Sequence, residues 1–134
     1  MNSALATQTA MRDALLVRAP LLTLLGGAHI FDEIPRGANA PYVSFTGIET
    51  RDWSVANQKA HEHFVTLETT TNSRGRGAAQ NIADEIEATL DNATLTLDDH
   101  KLINLRVIFT NVSRNNKTEN FGVIQRFRAA TEPL

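Results

Sequence analysis

The sequence predicts an α+β fold, a two-layer sandwich in which two main helices cover one face of a mostly antiparallel sheet of about four strands. Three observations predict it. Residues 76–91 carry apolar side chains at helical spacing, and residues 61–71, 101–112 and 121–131 alternate apolar and polar side chains. The last two of these strands are joined by the short polar turn "RNNKTEN", so we expect them to pair antiparallel.

The N-terminal part of the chain is expected to be helical. Residues 2–19 form a helix with Ser3 as its cap, and Pro20 ends or kinks it. A second, short helix stops at Gly26 and Gly27. Extended pieces are expected around 29–34 and 41–48, and the polar stretch 49–60 is expected to be a loop. The apolar side of the first helix consists of Leu5, Met11, Leu15 and Leu16.

The later elements carry clearer patterns. In strand 61–71, Val65 and Leu67 point one way, and the residues pointing the other way are Glu62, Thr66 and Glu68. We expect Ser73 to cap the following helix, whose apolar stripe consists of Ala79, Ile82, Ala83, Ile86 and Leu90. The inward residues of the last two strands are expected to be Ile103, Leu105, Val107, Phe109, Phe121, Val123 and Phe127.

Length and composition indicate one globular domain, residues 1–134. Hydrophobic residues make up 42% and charged residues 21%, and no cysteine is present, which excludes disulfides, thiol catalysis and cysteine zinc sites. The apolar run at 20–31 is too short to span a bilayer, so we expect no membrane partner. Residues 1–100 hold 7 Lys+Arg and 13 Asp+Glu, whereas residues 101–134 hold 6 and 2, an asymmetry suited to a partner or a second copy.

The turn before the long helix has some features of a phosphate site. Gly75, Arg76 and Gly77 precede the helix, but Gln80 stands where a dinucleotide-binding turn has its third glycine, and no Lys-Ser/Thr pair follows. We therefore interpret the turn as a connection from which Arg74 and Arg76 reach solvent or a partner.

Two histidines are the other candidate for chemistry. His61 and His63 share one face of a strand and could bind a metal, but the sequence positions no third ligand. A half-buried histidine at a strand end is the favoured interpretation. No serine lies in a Gly-x-Ser-x-Gly motif, which argues against nucleophilic catalysis. Together with the missing third ligand, this leads us to expect no metal, no cofactor and no catalysis.

Outward-pointing arginines are the main candidate for binding. Arg106, Arg126 and Arg128 lie on the outward face of strands that pair, either in cross-strand ion pairs or as a basic wall facing nucleic acid or another subunit. The sequence pI near 6.1 and the single Tyr argue against a sequence-specific nucleic-acid reader. Trp53 lies in a polar stretch, so it either contacts a partner or folds back on its own core.

Five segments occur in an order that resembles one known family. They are "ALLVRAPLLTLLGGAHIFDEIPRGANAPYVSF", "RDW", "HEHFVTLE", "RGRGAAQNIADEIEATL" and "GVIQRFRAATE". Together, from about Leu15 to Glu132, they resemble the tail-completion or tail-terminator proteins of long-tailed phages and phage-like gene transfer agents. The most specific positions are Asp32, Pro35, Pro41 and Tyr42, and His63 and the turn around Arg76 also match. Thr70 departs from the family, whose members often carry Trp there.

The resemblance implies a structural role at the head–tail junction of a virion or phage-like particle. It implies a hexameric ring on the tail tube protein that stops tube polymerisation, contacts a head-side stopper or connector, and lets DNA pass non-specifically through its bore. The alternatives are another ring-forming component, namely a tube subunit or a stopper, a small metal-binding enzyme, or a nucleic-acid-binding module. Loop 49–58 and turn 113–120 are expected on the rims of the ring. The expected interface residues are Trp53, Arg74, Arg76, Arg106, Asn115, Lys117, Arg126 and Arg128.

Overall fold

Three helices and six strands make up residues 2–134, the part of the chain that the computed structural model describes. Two strands contain only two residues each, and the other four contain between 10 and 15. The elements in chain order are α1 (Ser3–Leu16), α2 (Ala19–Leu25), β1 (Ile30–Phe31), β2 (Tyr42–Asp52), β3 (His61–Thr70), α3 (Arg76–Leu90), β4 (Thr96–Leu97), β5 (His100–Arg114) and β6 (Phe121–Pro133).

The strands form a single sheet in the order β1-β2-β3-β6-β5-β4. β1 runs parallel to β2, and every other neighbouring pair is antiparallel. The α+β class is therefore confirmed, but the sheet is mixed and has six strands rather than about four. The two additional strands, β1 and β4, are too short to show an alternating pattern in the sequence.

The expected loop at 49–60 is wrong over its first part, because β2 continues to Asp52. Residues 49–52 pair with residues 61–64 of β3 in antiparallel register, with Glu49 opposite Phe64 and Asp52 opposite His61. This end of β2 is held by ladder hydrogen bonds rather than by apolar burial, since all four of its side chains are exposed. A polar sequence therefore forms a strand that periodicity does not reveal.

The N-caps of α1 and α3 are not the residues that the sequence indicates. The side chain of Asn2, not Ser3, caps α1 by accepting from the amide of Leu5 at 2.8 Å. Ser3 is buried inside the first turn. Gly75 is the N-cap of α3, and Ser73 instead accepts a hydrogen bond from the Gly75 amide at 3.2 Å. The expected stripe of α3 is confirmed, since all five of its residues are buried.

The core lies between the helices and one face of the sheet. Met11 and Leu15 of α1 and Leu21 and Leu25 of α2 belong to the same buried cluster as Phe127. α2 is thus a third helix of the covering layer, and burial alternates strictly along β3, where the odd-numbered residues from His63 to Thr69 are buried. One face of the sheet is therefore covered by helices, and the other, which we call the open face, is not.

The prediction that Ile103 and Phe109 of β5 lie in the core is wrong. Ile103 is 42% exposed and Phe109 is 48% exposed, whereas Leu105 is fully buried. The register of β5 against β6 shifts at two bulges, between Leu102 and Asn104 and between Val107 and Phe109. Each bulge inserts one residue and reverses the alternation after it, which places Phe109 on the open face opposite Arg126.

Candidate functional site

The open face carries an arginine-rich surface built from four strands. Glu49, Phe64, Arg128 and Arg106 lie in one row across β2, β3, β6 and β5. The next rows bring Arg51, Glu62, Arg126 and Phe109 beside them. Three of the expected interface residues, Arg106, Arg126 and Arg128, therefore lie together on one surface.

Arg128 is the best-anchored side chain of this surface. Its Nε donates to Oε2 of Glu62 at 2.9 Å, and Nη1 donates to Oδ1 of Asn104 at 3.3 Å. The guanidinium also lies 4.9 Å from the centre of the Trp53 ring, within cation–π range. Arg128 thus ties the end of β2 to the centre of the sheet.

Arg126 and Arg51 both lie over Phe64. Their guanidinium carbons are 5.7 Å and 5.1 Å from the ring centre, and Glu49 lies 4.0 Å and 3.8 Å from the two guanidinium groups. The Nε of Arg126 is buried and has no hydrogen-bond partner among the described residues. The Phe64 ring and Glu49 thus hold both arginines against the open face.

Arg106 is exposed, lies directly opposite Arg128, and forms no ion pair with any residue between 2 and 134. Two arginines facing each other across neighbouring strands repel unless an anion or a carboxylate lies near them. The open face therefore leaves positive charge available to an outside group.

Trp53 follows the end of β2 and remains 41% exposed, although Arg128 covers one side of its ring. The ring thus lies beside the open face and not in the core, and its contact with a partner stays a prediction. Asp52, next to it, accepts from the Ser54 hydroxyl at 2.6 Å, and the hydrogen bonds from the Ser54 side chain and amide lower the pKa of Asp52. These contacts order the start of the 53–60 loop.

The remaining expected interface residues lie at the opposite end of the sheet. The amide of Phe121 donates to the Ser73 carbonyl at 2.9 Å, which joins the turn before α3 to the β5–β6 turn. Arg76 lies over the Phe121 ring at 5.5 Å, and Arg74 lies 3.9 Å from Glu119. In the β5–β6 turn itself, Asn115 accepts from the amide of Lys117 at 2.8 Å. Arg74 and Arg76 thus contact side chains in and beside the β5–β6 turn, which fits a connecting turn.

His63 is a core residue in this structure. It is fully buried, with Nδ1 2.9 Å from Oγ1 of Thr50 and Nε2 3.1 Å from Oγ1 of Thr131, so both ring nitrogens have hydroxyl partners. Burial is the main cause that lowers its pKa to about 4, with His61 and His100 adding repulsion. Within residues 2–134, no three His, Asp or Glu side chains meet where they could hold a metal.

The grooves of the surface are shallow. One, of about 400 Å³, runs along the open face near the β5–β6 turn and is lined by Tyr42, Glu68, Thr70, Ser113 and Ile124, among others. Glu68 is the only titratable carboxylate among its lining residues. In the described part of the chain, no helix is long and apolar enough to cross a bilayer.

Sequence reasoning missed three members of the open face, Glu49, Arg51 and Phe64. Phe64 was detectable, since it alternates with Val65 and Leu67 in the same strand. Glu49 and Arg51 were not, because they lie in the stretch that the sequence indicates to be a loop.

Comparison with known proteins agrees with the resemblance noted in the sequence. No curated protein matches this chain. A chain of the solved structure "Virion of native gene transfer agent (GTA) particle" shares the fold with a TM-score of 0.89 at 25% identity, over 98% of this chain and 99% of that one. The family described as tail completion protein gp17 matches residues 9–132. Since that match covers nearly the whole length, the chain belongs to the tail completion protein gp17 family.

Proposed function

We propose that this chain is a tail terminator, a structural component of a phage-like particle that forms a hexameric ring on the end of the tail tube. The ring halts addition of further tube subunits and presents its other rim to a head-side stopper or connector protein. The whole chain, 1–134, acts as one domain in this role. Family membership and the fold shared with a chain of a gene transfer agent virion support a place in such a particle.

The open face is the observation that carries this proposal. Four long strands present Phe64, Phe109 and Trp53 among arginines on a surface that no element of the described chain covers. An uncovered surface rich in arginine suits contact with an anionic partner, and the groove of about 400 Å³ on the same face has a single carboxylate, Glu68, among its lining residues. The surface thus suits contact with a passing polyanion better than it suits chemistry on a small substrate.

We place the open face toward the axis of the ring, so that its arginines line the bore. The open face carries a small excess of positive charge. Its arginines are Arg51, Arg106, Arg126 and Arg128, and its glutamates are Glu49, Glu62 and Glu68. DNA that passes through needs no sequence recognition, and weak attraction to its phosphates leaves it mobile. The outer, helical layer then carries exposed acidic residues such as Asp13, Asp84 and Glu87.

The two ends of the sheet form the rims in this arrangement. One rim carries Trp53 and the 53–60 loop, and the other carries Arg74, Arg76, Asn115 and Lys117 around the β5–β6 turn. Both rims consist of exposed polar loops on a rigid sheet, the usual place for residues that dock onto a partner.

We expect Trp53→Ala to impair attachment at its rim without unfolding the chain. The half-exposed ring contributes one cation–π contact in the subunit, about 0.5–1 kcal/mol, but a buried Trp at an interface is worth about 2 kcal/mol or more. Counting joined particles and measuring tail length by electron microscopy checks this, with thermal unfolding as the control. Normal tails and normal joining would remove Trp53 from the docking rim.

Tube growth in vitro tests the proposed function. When tube protein polymerises with increasing amounts of this chain, we expect tubes to shorten and to show a ring of extra density at one end. A stopper would bind finished tails without shortening growing tubes, and a tube subunit would be incorporated along their length. Either of those outcomes would replace the terminator assignment by the alternative named.

A further inference from the structure

We infer that neighbouring copies in the ring join edge to edge, with β5 of one copy pairing antiparallel to β2 of the next, so that their sheets form one closed barrel. This inference rests on the proposed ring. It comes from two uncovered stretches of strand, one on each side of the sheet, in residues 45–52 of β2 and 108–114 of β5.

Each stretch is uncovered because the short strand beside it, β1 for β2 and β4 for β5, does not extend along it. β1 pairs only with Val43 and Ser44, so β2 has no outer neighbour after Ser44 among the described residues. β4 pairs with His100 and Lys101, and the segment after α3 bonds to the Leu105 carbonyl and to the amide of Val107. Beyond Val107, β5 has no outer neighbour within residues 2–134.

The outer stretch of β5 also lacks the charges and prolines that commonly protect an edge strand. Residues 108–113 are Ile, Phe, Thr, Asn, Val and Ser, with no charge and no proline. An exposed, uncharged edge of this kind readily accepts another strand, and soluble proteins normally block it. Retaining it is explained if a second strand covers it in the assembled particle.

Strand directions permit the junction. The four long strands alternate in direction, β2 up, β3 down, β6 up and β5 down, because all three ladders between them are antiparallel. In a ring, copies are related by rotation, so β5 of one copy meets β2 of the next in the opposite direction. The antiparallel alternation then continues across every junction, without a parallel pair.

One register satisfies both the backbone and the side chains. On both edge strands, the residues whose side chains face the core direct their backbone N–H and C=O groups away from the sheet. Val43 and Leu105 show this, because the Val43 amide donates to the His29 carbonyl and the Leu105 carbonyl accepts from the Asn92 amide. Pairing Val112 with Ile48 of the next copy keeps core-facing residues opposite each other. The same register sets Phe109 beside Arg51 and Asn111 beside Glu49 on the open face, a cation–π pair and a hydrogen-bonding pair.

This register also gives the stagger that a barrel needs. Within one copy, Ile48 of β2 is in register, through Val65 of β3, with Phe127 of β6. Val112 of β5 pairs with Val123 of β6, which lies four residues from Phe127. A stagger of four residues over four strands tilts the strands by about 35°, the lower end of the range for closed barrels. The tilt has the right-handed sense of twisted sheets when the helices lie outside and the open face inside. Six copies then give a backbone diameter of about 45 Å.

Disulfide cross-linking tests the junction, because the natural chain contains no cysteine. We expect the double variant Glu49→Cys with Asn111→Cys, oxidised in tails assembled with tube protein, to give a ladder of covalent multimers that ends at the closed ring. Equimolar single variants should give dimers only when mixed. If the Glu49→Cys, Asn111→Cys variant does not assemble, Gly47→Cys with Ser113→Cys serves in its place. These two residues face each other two positions further along the same ladder and should give the same multimers.

The controls separate this inference from the proposed function. Dimers formed by Asn111→Cys alone would indicate a two-fold β5–β5 contact and overturn the inference, as would stronger cross-linking of Asn111→Cys with Arg51→Cys, which reports a shifted register. Capped tails without cross-links would also overturn it but leave the terminator function intact. If the unsubstituted chain does not cap tubes, the proposed function itself fails.

Discussion

The double variant Arg126→Glu with Arg128→Glu is expected to lose ring formation and tail capping. It removes the 2.9 Å bond between Arg128 and Glu62 and places new carboxylates beside Glu49 and Glu62. Loss of one half-buried, charged hydrogen bond costs about 2 kcal/mol of subunit stability. In a ring, the twelve reversed charges would in addition repel the carboxylates beside them on the inner surface and repel DNA. Light scattering of the purified variant and counts of joined particles measure the loss.

Two control variants separate charge from folding. Arg126→Lys with Arg128→Lys keeps the positive charge and should retain most of the assembly, although it loses the planar contacts with Phe64 and Trp53. Arg36→Glu alters an exposed residue of the loop between β1 and β2, outside the arginine-rich rows of the sheet, and should have no effect. If the reversed variant is folded and still caps tails normally, the bore placement of these arginines is wrong.

Acid is expected to destabilise the chain by about 3 kcal/mol through His63 alone. Burial lowers its pKa from 6.5 to about 4 in the folded chain, whereas the unfolded chain keeps the ordinary value. The contribution of His63 to stability is therefore complete above pH 6.5 and falls as the pH drops from 6.5 to 4, because only the unfolded state binds the proton in that range. Urea unfolding at a series of pH values between 7 and 4 measures it.

His63→Gln provides the matched comparison, since an amide can serve both hydroxyl partners, Thr50 and Thr131, without titrating. The variant is expected to lack the part of the pH dependence that falls between 6.5 and 4. His61 and His100 remain in both proteins, so the difference between the two proteins reports on His63. Equal slopes for the two proteins would show that His63 does not have the lowered pKa.

Much of the fold follows from pattern alone. The α3 stripe and the alternation of β3 are read directly from the sequence, because one side of each element is apolar throughout. The failures have local physical causes. The bulge between Val107 and Phe109 of β5 reverses the alternation, so that Phe109 moves from the expected core to the open face. Nothing in the residues from 101 to 112 marks where a bulge falls.

The candidate surface was predictable only in part. The outward positions of Arg106, Arg126 and Arg128 follow from strand alternation, and the structure brings them together. Their aromatic partners come from elements distant in the sequence, and Arg51 lies in an unrecognised strand. The uncovered edges of β2 and β5 depend on how far β1 and β4 extend, and two-residue strands leave no sequence signal.

The number of copies at the end of a tail decides whether this chain caps the tube as a ring. Native mass measurement of short tubes capped by this chain, together with the chain alone, gives that number. The account predicts six copies of the 14.7 kDa chain added once per tube, with no further addition when more chain is supplied. A single copy per tube, or copies that keep adding along its length, would contradict it.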